Sequence, residues 1–138
     1  MVSVMWCPTR LLASVIALGG LVAPTAGALT QFSTPSKNVG CIGDATSLRC
    51  DIAQTSVRPP ARPASCRFDF GNYFSMSPRS RSTRACVSDT ALGGRWIVAY
   101  GTSIRIGPFL CVSKTTGLRC TNRTGHGWSL SRAKITLF

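Results

Sequence analysis

Hydrophobic and polar residues alternate in short runs along most of the chain, and glycine, proline, asparagine or serine interrupts the runs at close intervals. A period of two is the mark of strands with one buried face. The clearest case occurs twice. Eight residues separate Cys41 from Cys50 and Cys111 from Cys120, and both segments end in the same triplet, Leu48-Arg49-Cys50 and Leu118-Arg119-Cys120. Setting Cys41 opposite Cys50 places Ile42 against Arg49 and Gly43 against Leu48, with Asp44-Ala45-Thr46-Ser47 as the turn. The second copy places Val112 against Arg119 and Ser113 against Leu118 around Lys114-Thr115-Thr116-Gly117. Directly opposed residues of an antiparallel pair have Cα atoms about 4.5 to 5.5 Å apart, inside the window for a disulfide. The spacing predicts two hairpins, each closed by its own disulfide, with leucines and cysteines facing inward and Arg49 and Arg119 outward.

The remaining pattern is also that of short strands. Phe32 is placed to plug a core, ahead of a turn favoured by Pro35 and Asn38. Three prolines between Val57 and Arg67 forbid a central strand there. Phe68 and Phe70 flanking Asp69 predict a short strand ended by Gly71-Asn72, and Tyr73 to Met76 predicts another. Trp96, Val98 and Tyr100 are expected to share one strand face, followed by Ile104 with Ile106 and, at the end, Ile135 with Leu137. The alternation slips at Ser131-Arg132, which reads as a bulge. No segment after residue 28 carries a helical period. The fold class expected is all-β, a small sandwich or barrel built from disulfide-closed hairpins.

The first residues do not fit that pattern. Arg10 precedes an uncharged run from Leu11 to Ala23, and Ala26-Gly27-Ala28 supplies a small-x-small cleavage site. This predicts a signal peptide over residues 1–28 and an exported domain over 29–138. The run stops at Pro24, short of the roughly 20 apolar residues of a membrane helix, so no transmembrane anchor is expected after cleavage. Cys7 falls in the leader. The six remaining cysteines are an even set in an exported chain, the mark of a disulfide framework. With both hairpins closed, Cys66 pairs with Cys86 by elimination. No Cys-x-x-Cys occurs and His126 is the one histidine, so neither a metal site nor a cofactor is expected.

Charge adds a possible partner class. Sixteen Lys and Arg face four Asp and Glu, a formal charge of +12. Such a surface attracts polyanions without specificity, and it also simply keeps a protein soluble. Arginine predominates, and its planar fork suits phosphate and carboxylate. Arg58, Arg62 and Arg67 lie on the proline-stiffened stretch, and Arg79, Arg81 and Arg84 on a loop tethered by Cys66 and Cys86. Together with His126 they are the candidate binding residues. The partners expected are anionic polymers or lipid headgroups of a cell envelope, or a protein. No recognised nucleic-acid module is present and aromatic residues are 8% of the chain, which argues against sequence-specific nucleic-acid reading.

Catalytic candidates are few. Asp44, Asp51, Asp69 and Asp89 are the only carboxylates, and their spacing selects no acid and base pair. His126 lies between Gly125 and Gly127, which either admits a ligand to the backbone or shapes a tight turn in which the imidazole caps a carbonyl. No catalytic residue is nominated. The main reading is a non-enzymatic binding domain. The alternatives are a small extracytoplasmic hydrolase using His126 with an aspartate, and a purely structural envelope protein. Asp89-Thr90 reads as a turn motif, and Asn122-Arg123-Thr124 matches a glycosylation acceptor.

One resemblance joins these scattered features. The matching residues are Phe32, Thr34-Pro35-Ser36, Asn38 and Cys41; Arg49-Cys50-Asp51-Ile52; Cys66 with Asp69 and Gly71; and Cys86 with Asp89-Thr90. They continue through Tyr100-Gly101, Gly107, Phe109, Cys111, Gly117, Cys120 and Asn122 to Gly125-His126-Gly127 and Ser131-Arg132. In these the chain resembles a family of uncharacterised secreted bacterial domains, found mainly in actinobacteria and proteobacteria. Trp128 stands where that pattern has phenylalanine, and the basic loop from Pro78 to Arg84 lies outside it. The resemblance implies an exported domain of unknown function and carries no activity with it.

Overall fold

A computed structural model describes residues 27–138, so all but the last two residues of the expected leader lie outside the described residues. Eleven strands follow in chain order: β1 (Thr30–Ser33), β2 (Val39–Gly43), β3 (Leu48–Ile52), β4 (Tyr73–Met76), β5 (Thr83–Arg84), β6 (Trp96–Ile97), β7 (Ser103–Ile106), β8 (Phe109–Lys114), β9 (Gly117–Thr121), β10 (Gly127–Leu130) and β11 (Ile135–Leu137). No helix occurs among the described residues. The strands form two sheets, ordered β5-β4-β3-β2-β1-β6 and β11-β10-β9-β8-β7. Strands β1 to β5 run as an antiparallel meander, after which β6 returns to the far edge and lies parallel to β1. Strands β7 to β11 form a second meander. Two open sheets make this a sandwich, which decides between the two all-β architectures expected from the sequence.

Each meander carries a cysteine hairpin as its second and third strands. The registers are those the spacing predicts: Cys41 opposite Cys50, Ile42 opposite Arg49 and Gly43 opposite Leu48 in one, Cys111 opposite Cys120, Val112 opposite Arg119 and Ser113 opposite Leu118 in the other. The three disulfides are Cys41–Cys50, Cys66–Cys86 and Cys111–Cys120. Because the cysteines face inward on both sheets, the two hairpin disulfides meet in the core, with the sulfurs of Cys41, Cys50 and Cys120 within 4.8 Å of one another. Those sulfurs are bonded in pairs and therefore offer no thiolate to a metal. Around them pack Phe32, Leu48 and Phe74 from the first sheet and Phe109, Leu118 and Trp128 from the second, all essentially without solvent exposure. Phe74 and Trp128 meet with ring centroids 6.2 Å apart and tilted, a favourable aromatic arrangement.

Three local expectations are corrected. Phe68 to Phe70 forms no strand; one bridge from Asp69 to Val87 is all that pairs there, and Phe68 is exposed. The preceding prolines and the Cys66–Cys86 link hold this stretch as irregular chain beside the sheet, so no neighbour completes a ladder. Trp96, Val98 and Tyr100 do not share a face. Val98 is buried while Trp96 and Tyr100 are exposed, because the chain leaves the first sheet after Ile97 and turns at Ala99 to Thr102, where the Thr102 N–H donates to the Ala99 carbonyl. At Ser131 the slip in alternation marks a hairpin turn, not a bulge: the Ser131 N–H donates to the Lys134 carbonyl at 2.9 Å, and β11 begins at Ile135.

Candidate functional site

The four aspartates all fall between residues 44 and 89, and residues 90–138 contain seven Lys and Arg and no Asp or Glu. The whole second sheet lies in that acid-free stretch. Strand alternation turns Arg105, Lys114 and Arg119 to its outer face, and the β10–β11 turn adds Lys134. Pairing across the strands sets Ser103, Val112, Arg119, Ser129 and Thr136 in one row. The Arg119 guanidinium lies 4.1 Å from the centre of the Phe138 ring and donates to Ser129 Oγ at 3.3 Å, which holds it over the sheet surface.

Beside that row the surface sinks. Lys114 is opposite Gly117, whose φ of 135° suits glycine, and a β-carbon there would strike the Leu130 carbonyl. The missing side chain leaves a groove of about 480 Å³ on the outer face, with Lys114, Arg119 and Lys134 among its walls. A second cavity of about 460 Å³ opens at the end of the sandwich, with Asn38, Tyr100 and Arg132 among its lining. Lys114, Thr116, Gly117, Leu118, Leu130 and Ser131 line both, so the two cavities lie side by side around the β8–β9 turn as a two-part trough.

The first sheet's outer face is different. Asp51 follows Arg49 by two residues and so shares its side of β3, yet it is wholly buried. Arg49 donates to Asp51 from Nε at 2.9 Å and from Nη2 at 2.8 Å, and the Ala91 N–H donates to the same carboxylate at 2.7 Å. Arg49 also pairs with Asp89 and donates to the Asp89 carbonyl at 2.8 Å. Donation to Asp51, more than any other influence, raises the Arg49 pKa, while Arg49 in turn holds the Asp89 carboxyl below its ordinary value. This network ties residues 89–91 across the sheet, and the close approach needs a glycine at position 40, where a β-carbon would lie 2.6 Å from the Ala91 carbonyl oxygen. Both ion pairs among the described residues belong to Arg49. One face of the sandwich is thus covered and compensated, and the other is open and cationic.

The residues nominated from the sequence are spread over three places. Arg58, Arg62 and Arg67 are exposed on the loop between β3 and β4, where Arg62 reaches the Phe68 carbonyl at 3.4 Å. Arg79 and Arg81 are exposed on the β4–β5 loop, whereas Arg84 turns inward, donating to the Gly71 carbonyl and lying 5.1 Å from the Phe74 ring centre. Burial lowers the Arg84 pKa, and its contacts hold the fold. His126 is half-buried, and its N–H donates to Asn122 Oδ1 at 3.0 Å while its carbonyl accepts from the Asn122 N–H at 2.8 Å. A side chain at Gly127 would strike the Cys120 carbonyl, so that glycine serves strand packing.

Asn122 organises this end of the molecule. Its amide donates to the carbonyls of Ser77 at 2.9 Å and Ser80 at 2.7 Å, and its oxygen also accepts from Thr124, which joins the basic loop to the His126 turn. Buried and fully engaged, the side chain is not presented to a glycosylating enzyme. Of the carboxylates a hydrolase would need beside His126, Asp51 and Asp89 are engaged by Arg49, and Asp44 accepts from the Thr46 hydroxyl, the main cause of its lowered pKa, and from the Thr46 and Ser47 N–H groups of its own turn, which lower it further. Asp89 is therefore an ion-pair partner, and in the expected turn motif it is Thr90 Oγ1 that accepts, from the Leu92 N–H. The Arg49–Asp51 pair was missed in the sequence; its signal was two opposite charges on one face of a strand.

A two-sheet all-β sandwich stapled by three disulfides, with one face open and cationic, is a small disulfide-framework domain of the kind favoured in oxidising surroundings. The chain belongs to the family of unknown function DUF6636, which matches residues 10–138. No curated protein and no solved structure matches it. No helix among the described residues is long and apolar enough to cross a membrane.

Proposed function

We propose that the protein is an exported, non-enzymatic binding domain for anionic polymers of a cell envelope, and that it engages them through the outer face of its second sheet. The observation that carries this reading is the segregation of charge: seven Lys and Arg and no Asp or Glu from residue 90 onward, with Arg105, Lys114, Arg119 and Lys134 on the outer side of the second sheet and no ion pair there among the described residues. Cations without carboxylate partners lose no intramolecular ion pair when they meet an external anion. Arg58, Arg62, Arg67, Arg79 and Arg81, exposed on loops, add long-range attraction that salt screens. Export accords with the leader pattern of residues 1–28 and with three disulfides.

A heparin matrix with a salt gradient tests this, with the unsubstituted matrix alongside. Retention is expected at 0.15 M salt, where screening extends about 8 Å, and release near 1 M, where it extends about 3 Å. Passage straight through at 0.15 M, or equal retention on the unsubstituted matrix, would contradict the proposal.

A further inference from the structure

We infer that the trough around the β8–β9 turn is a binding site for an anionic polysaccharide, a sugar chain bearing carboxylate or phosphate groups. This rests on the polyanion reading above and narrows it to one place and one chemistry. Three features converge there. Lys114, Arg132 and Lys134 stand around the two cavities, and none of the four aspartates lines either one. Each cavity falls within the range of small-molecule sites, roughly 300 to 1,000 Å³, and two such cavities side by side around one turn suit a chain better than a compact ligand.

The floor is the second feature. It is low where position 117 is glycine, and Leu118 and Leu130 lie beneath it with the hydroxyls of Thr116, Ser129 and Thr136 beside them. Hydroxyls and short apolar patches in alternation match a sugar ring, which presents polar edges and C–H faces. The third feature is Tyr100, 43% exposed at the second cavity. Its ring offers a negative face to the C–H bonds of a sugar, and its hydroxyl offers a polar handle. A single-stranded nucleic acid is served by several stacking platforms in succession, whereas this trough has one aromatic side chain. A bilayer needs apolar side chains that project, and the leucines here are recessed.

Binding is measured by calorimetric titration with two probes, polygalacturonate as a carboxylated sugar chain and inorganic polyphosphate as a polyanion without sugar. The substitutions lie at exposed side chains, so the fold is retained. Lys114→Ser combined with Lys134→Ser is expected to weaken polygalacturonate binding about tenfold, since two charge-assisted contacts are lost. The control removes three charges from the β3–β4 loop, Arg58→Ser with Arg62→Ser and Arg67→Ser, and is expected to cost less than about threefold, as screened charges do. Tyr100→Ala is expected to weaken polygalacturonate about fivefold, the loss of one aromatic contact, and to leave polyphosphate unchanged. Losses that follow only the number of charges removed would overturn the site. Equal effects of Tyr100→Ala on both probes, or none on either, would overturn the sugar chemistry. Both results would leave retention on heparin intact, whereas failure of the polyanion reading itself would abolish that retention and the binding of both probes.

Discussion

Full reduction of the three disulfides is expected to unfold the domain at 25 °C, read as loss of the near-ultraviolet signal of Trp128 and cooperative loss of the β signal. The links close loops with sequence separations of 9, 20 and 9, each contributing about 3 kcal/mol in the chain-entropy model. Their sum, about 9 kcal/mol, is comparable to the whole stability of a small domain, about 5 to 15 kcal/mol. Loop length alone would rank Cys66–Cys86 first. The position of the sulfurs reverses that order. Cys41 and Cys50 are fully buried against the other hairpin's disulfide, while in the other pair Cys66 is buried and Cys86 is exposed. Replacing both Cys41 and Cys50 by alanine therefore loses the link and opens voids in the core, at about 1 kcal/mol for each methyl-sized void. Cys41→Ala with Cys50→Ala is expected to cost about 5 kcal/mol, and Cys66→Ala with Cys86→Ala, which opens one void, about 4 kcal/mol. Denaturant melts of the two double variants check this. A larger loss for the Cys66 and Cys86 pair would mean that chain entropy, and not the contact between the two hairpins, dominates.

Asp51→Ala is expected to destabilise the domain by about 3 to 5 kcal/mol, the usual cost of removing one partner from a buried pair. The carboxylate accepts from Arg49 twice and from the Ala91 N–H, so its loss strands a half-buried guanidinium and a buried backbone donor. Asp89 touches the same arginine from the solvent side, 78% exposed, and Asp89→Ala is expected to cost far less. Equilibrium unfolding of the two variants, compared at neutral pH, separates the roles. Equal losses would show that the pair at Asp51 does not hold the segment across the first sheet.

The hairpin registers were legible because a cysteine pair at fixed spacing leaves few ways to close, and the alternation around Leu48 and Leu118 fixes which side faces in. Cys66–Cys86 followed from what remained. Strand β1 was not legible as a strand: Thr30 to Ser33 carries one large apolar residue, Phe32, and gains its ladder from β2 on one side and β6 on the other. The turn at Ser131 imitated a bulge because a hairpin and a bulge shift alternation alike. Charge was legible as an excess but not as a place. Arginines close in sequence, from Arg58 to Arg84, drew attention, yet the structure disperses them over two loops and turns Arg84 inward. Arg105, Lys114, Arg119 and Lys134 sit on three strands and a turn and are gathered only by lateral strand pairing. The signal in the sequence is the absence of Asp and Glu after Asp89.

Amide chemical-shift mapping of the folded, oxidised protein titrated with heparin tests the central claim most directly. The expected result is a continuous set of perturbed amides on the outer face of the second sheet, including Lys114, Gly117, Arg119, Ser131 and Lys134, with residues 58–67 little moved. Perturbations concentrated on residues 58–84, or spread evenly over every exposed cation, would contradict it.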